Sequence, residues 1–146
     1  MLQAIQKTFT DFEFKQSIGL EKLGMFQPGE KSNDAVATFV NEIEWADTVL
    51  ISTPEYIHNI PAGLKNALEW ITEIGVLDSK NTIAVTFTPH APRGEHALQS
   101  LLFSLEALNA RVIAAENLYR NEVAYTEDGK LTEDYAYFFR AVLALT

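Results

Sequence analysis

A chain of 146 residues with 47% apolar content is long enough for one domain with a buried core, and too apolar for a disordered segment. Its formal charge of −9 argues against a nucleic-acid partner, which would require clustered Lys and Arg. With no cysteine there is no disulfide framework, thiolate metal site or cysteine nucleophile, and no apolar run is long enough to cross a bilayer. The N-terminus lacks the basic and apolar regions of a signal peptide, so a cytoplasmic location is expected.

In chain order, Leu2, Ile5 and Phe9 mark one face of a short opening helix. Residues 12–18 alternate apolar with polar or charged side chains, as a strand wet on one face would. Residues 19–31 read as a loop. Ser32 or Asn33 then caps a helix carried by Val36, Phe39, Val40 and Ile43. Residues 48–53 (TVLIST) are short, β-branched and apolar, like a parallel strand covered on both faces. Pro54 breaks that ladder, and Pro61 suits the first turn of a helix over 61–74, with Leu64, Ala67, Leu68, Ile71 and Ile74 inward and Gly75 as C-cap. A second strand is expected over 82–87, a loop over 88–94, and a strongly amphipathic helix along Ala97, Leu98, Leu101, Leu102, Leu105 and Leu108. Residues 111–118 give another strand. Thr132 caps a last helix carried by Tyr135, Phe138, Phe139, Val142 and Leu145. Strands alternating with helices predict an α/β parallel sheet in a single domain over 1–146.

The run Thr53-Pro54-Glu55-Tyr56, then Ile60-Pro61, then Leu64-Lys65-Asn66-Ala67-Leu68-Glu69-Trp70 resembles the signature of the NADPH-dependent FMN reductase family. The resemblance continues more weakly toward the C-terminus, through residues 126–132. It implies a flavodoxin-like open parallel sheet with helices on both faces, FMN and NADPH as cofactors, and a quinone, free flavin or similar small-molecule electron acceptor. It also implies pairing into a homodimer or homotetramer through helices beside the flavin, with Trp70 a candidate interface residue. The family's first strand and its glycine-rich phosphate turn, on the order of 15–20 residues, have no counterpart here, so the domain reads as N-terminally incomplete. A flavin-free interaction or structural domain of the same fold is the competing reading.

In an open α/β sheet, ligands bind beyond the carboxyl ends of the strands. The resemblance places Pro54, Glu55, Tyr56, Ile57, His58 and Asn59 against the flavin ring, with Tyr56 covering it and Glu55 fixing the loop. A second wall would come from Thr88, Pro89, His90 and Gly94, with a crevice between the two turns. Many relatives have asparagine at Ile57 and more glycine in the second loop. His58 is expected to line a wall rather than move protons, because the chemistry of a flavin enzyme is the cofactor's. No side chain is assigned a catalytic role. His90, His96 and Glu95 lack the spacing of a metal site.

Overall fold

The computed structural model describes residues 1–145. Three parallel strands run in the order β1 (Thr48–Thr53), β2 (Asn81–Thr88) and β3 (Arg111–Tyr119). The helices are α1 (Leu2–Thr8), α2 (Asp34–Trp45), α3 (Ala62–Trp70), α4 (Glu95–Ala107) and α5 (Glu133–Leu143), with a 3₁₀ turn at Leu20–Lys22. The β1–β2 register runs from Thr48 opposite Asn81 to Thr53 opposite Thr86. Between Val112 and Ala114 the β2–β3 pairing slips by one residue.

Alternation along the strands divides the core into two layers. Ala84, with Val49 and Ile51 packed beside it, faces Val36, Phe39, Ile43, Ala67, Leu68, Ala97, Leu101 and Leu105 from α2, α3 and α4. Ile83 and Val85 face the opposite way, onto Ile5 and Ala4 of α1 and Ala136, Phe139 and Val142 of α5. Helices on both faces are what near-continuous apolar parallel strands require. Asn33 caps α2 by accepting the Val36 amide at 3.0 Å. Thr132 occupies the N-cap position of α5, but its hydroxyl makes no capping bond.

Two expectations are corrected. Residues 12–18 form no strand. Their alternation found no ladder: Ser17 Oγ and the Ile18 amide bond to the Glu42 carboxylate on α2 at 2.8 and 2.9 Å, and Phe14 and Ile18 pack into opposite core layers. The outer edge of β1 carries no strand among the described residues. The helix expected over 61–74 ends at Trp70, because the chain tightens into turns (Thr72 N to Glu69 O, Ile74 N to Ile71 O) before Gly75 at φ +71°. Ile74 therefore lies exposed rather than on the core face.

The Lys-Asn-Ala-Leu-Glu-Trp run has a structural task. Asn66 accepts the Phe26 amide at 2.8 Å and donates to Gly24 O at 2.7 Å, where the Trp70 indole also donates at 3.0 Å. Trp70 is buried and meets Phe26 edge to face at 5.2 Å. It is a core residue holding the 24–26 loop, whereas Trp45 is half exposed beside Lys15.

Candidate functional site

The carboxyl ends of β1, β2 and β3 lie side by side, and the loops leaving β1 and β2 converge on the start of α4. In the first loop, Tyr56 and Asn59 exchange backbone hydrogen bonds of 2.9 and 3.0 Å, closing a tight turn with Ile57 and His58 at its tip. Both tip residues have positive φ, 51° and 57°, as a type I′ turn requires. Ile57 is 98% exposed and Tyr56 61% exposed, so neither is spent on core packing. The amides of Ile57 and His58 make no hydrogen bond among the described residues.

A β-branched residue in the left-handed region is strained, and here no packing offsets the strain. Ile57→Asn is expected to stabilise the fold by about 0.5–1 kcal/mol, because asparagine tolerates this conformation better. Urea denaturation measures it; a loss of stability would mean the tip is packed rather than free.

Glu55 reaches from the first loop to the start of α4. One carboxylate oxygen, Oε2, accepts the amides of Gly94 and Ala97 at 3.1 and 3.2 Å, capping the positive end of α4. The other oxygen lies 3.6 Å from His58 Nδ1, and only 6% of the Glu55 side chain is exposed. His58 meets His96 of α4 edge to face at 4.9 Å. Asn59 Oδ1 accepts from Ser100 Oγ at 2.6 Å and from the Ile60 amide at 2.8 Å.

The second loop is fixed from within. Thr88 Oγ1 donates to Arg93 O at 2.6 Å, the His90 ring lies 2.9 Å from Ala91 O, and the Ala91–Pro92 bond is cis. The amides of Arg120 and Asn121 bond to the carbonyls of Thr88 and Pro89 at 2.8 and 3.3 Å, binding this loop to the end of β3. Gly94 is buried at φ +106° against Thr86 and Thr88. Nearby, the Tyr119 phenol is held above its ordinary value of 10.0, first by burial and then by the carboxylates of Glu95, Glu122 and Glu116.

These contacts bring Glu55, His58 and Asn59 of the first loop together with Gly94 of the second at the start of α4, whereas Thr88, Pro89 and His90 are tied within their own loop and to the end of β3. Ser100 is an unexpected partner of this loop, and His96, weighed in the sequence only as a metal ligand, packs on His58 instead; their spacing of one helical turn on the polar side of α4 is the available signal. A depression of about 380 Å³ lies alongside, lined by Glu95, His96, Leu98, Gln99, Leu102 and Asn117, and so not between the turns near 56 and 90.

The geometry suits one end of a flavin better than the other. Unpaired amides at a tight turn beside an exposed tyrosine fit the polar edge and face of a flat heterocycle. For the phosphate there is no glycine-rich turn between a strand and a helix among the described residues, and Glu55 already fills the start of α4.

A doubly wound parallel sheet with convergent loops at its carboxyl edge defines the flavodoxin-like class. The chain belongs to the NADPH-dependent FMN reductase family, whose model matches residues 1–123. It is 32% identical over 106 residues to the NADH:(hydroxy)cinnamate reductase subunit CrdA of Vibrio ruber, covering 68% of this chain and 52% of that protein. Over 68 residues it is 35% identical to the NADH-dependent flavin reductase subunit 2 of Lactobacillus johnsonii, 47% of this chain and 37% of that one. Over 39 residues it is 44% identical to a quinone reductase of Escherichia coli, 27% of this chain and 21% of that one. The matches span about half the length, or less, of these curated relatives. FerB, a flavoenzyme NAD(P)H:(acceptor) oxidoreductase from Paracoccus denitrificans, shares the fold with a TM-score of 0.75 at 22% identity, covering 98% of this chain and 84% of that one.

Proposed function

We propose that this chain is an oxidoreductase domain, residues 1–146, that positions FMN for hydride transfer from NAD(P)H and onward to a quinone, a free flavin or a similar small acceptor. FMN, when bound, supplies the two-electron chemistry; the protein binds, orients and shields. The observation that carries the reading is the left-handed turn at Ile57 and His58, with two amides unpaired among the described residues, an exposed Tyr56 and a tie to the second loop. Those amides would hold the polar edge of the ring, Tyr56 would cover one face, and Thr88, Pro89, His90 and Gly94 would form the second wall. Pro54 and Asn59 frame the turn. His58 would act as a wall residue, because its ring is engaged with Glu55 and His96.

Membership of this family supports the nicotinamide and flavin assignments, and the likeness to a quinone reductase supports the acceptor class. A cytoplasmic homodimer or homotetramer is the setting we favour. No helix among the described residues is long and apolar enough to cross a membrane. Ile57 of the first loop and Phe103 of α4 are large apolar residues left exposed, which supports self-association.

Titrating the purified chain with FMN, followed by an NADPH oxidation assay with a benzoquinone acceptor, tests the proposal. Flavin fluorescence is expected to quench on binding and acceptor-dependent NADPH loss to follow. Unchanged fluorescence at millimolar protein and no NADPH loss would leave only the shared fold.

A further inference from the structure

We infer that Glu55 is a positioning residue which fastens the loops after β1 and β2 into one rigid unit. Three contacts run from the first loop to α4: the Glu55 carboxylate to the amides of Gly94 and Ala97, the His58 ring to the His96 ring, and the Asn59 amide oxygen to the Ser100 hydroxyl. Only the first reaches backbone amides at the start of α4, and only its side chain is almost fully buried. It also reaches across 39 residues of sequence to the backbone of Gly94, the last residue of the second loop. A buried carboxylate on unpaired helix amides is among the stronger hydrogen-bond arrangements in a protein. Glu55 is therefore occupied in holding the platform, and its carboxylate is not free to touch a ligand. The loop tip is left with positive φ and with amides unpaired among the described residues, a conformation that persists only when its surroundings over-determine it.

The consequence for ligand binding rests on reading these loops as the flavin-ring edge, so the test separates the two. Backbone ¹⁵N relaxation is measured on the flavin-free chain as wild type, E55A, E55Q and V142A. Val142 is buried on the far face of the sheet, so V142A controls for a general loss of stability. E55A is expected to loosen residues 56–59 and 93–97 together. E55Q should restore part of the order, because its amide oxygen still accepts from the helix start without the charge. V142A should lower the melting temperature and leave both loops ordered. Loosening confined to 94–97, or none, would reduce Glu55 to a helix cap and overturn the inference.

FMN titration of the same variants then reads the consequence. E55A is expected to weaken binding roughly tenfold, E55Q less, and V142A not at all. Equal affinity in E55A and wild type would overturn the link to the ligand. Should wild type give no flavin response, the functional reading falls, while the relaxation comparison still decides the fastening role.

Discussion

Phe139→Ala is expected to lower the unfolding free energy by about 3–5 kcal/mol, the range for emptying a buried aromatic site. Phe139 is 1% exposed and sits where α1, α5 and one face of the sheet meet, against Ile5, Ile83, Val85 and Val142. Its ring also meets Phe138 edge to face at 5.0 Å. The helix α1 has seven residues and is too short to persist alone, so this layer is what keeps it in place. Apart from that layer, its ties to the C-terminal segment are peripheral: the Leu131 amide on Thr8 Oγ1 at 2.9 Å and Lys7 on Asp128 O at 3.2 Å. For a domain stable by about 5–15 kcal/mol, such a loss is a large share of the total. Urea denaturation should show the midpoint falling with little change in slope. A loss below about 1 kcal/mol would mean that this layer is not packed as described.

Gly94→Ala is expected to cost about 2–4 kcal/mol, more than a buried glycine in an ordinary conformation would. Two independent terms add. The backbone stands at φ +106°, where an L side chain is strained, and a Cβ built there would meet Thr86 Oγ1 at 2.6 Å and Thr88 Cγ2 at 3.1 Å. Neither neighbour can yield easily: Thr86 is buried and donates to Asn117 Oδ1 at 2.7 Å, and Thr88 is buried and donates to Arg93 O. The strain would be relieved by shifting the start of α4, which would pull the Gly94 and Ala97 amides away from Glu55. Calorimetry on the variant should show a lower melting temperature, and FMN titration a weakened affinity. Full retention of both would contradict the close approach at this position.

The parts of the fold legible in the sequence are those fixed by local period. The run at 48–53 became β1 with those bounds, and the apolar rows of α2 and α4 face the core as their spacing requires. Residues 12–18 misled because alternation specifies a wet face and a dry face but not a partner, and Glu42 took the hydrogen bonds that a ladder would have used. The end of α3 was misplaced because apolar spacing continues to Ile74 after the hydrogen bonding has changed to turns. At the site, the long-range partners were not legible. Glu55 serves a helix 39 residues downstream, and Asn66 and Trp70 serve a loop upstream; both are long-range contacts that no local pattern encodes. Ile57 could have been flagged as strained only with the turn type in hand.

The most direct measurement is amide chemical-shift mapping of the chain during FMN titration. The proposed platform requires shifts at Tyr56, Ile57, His58 and Asn59 to appear together with those of the 88–94 loop and to saturate along one curve. Shifts gathered instead around Leu102 and Asn117, or absent everywhere, would contradict it.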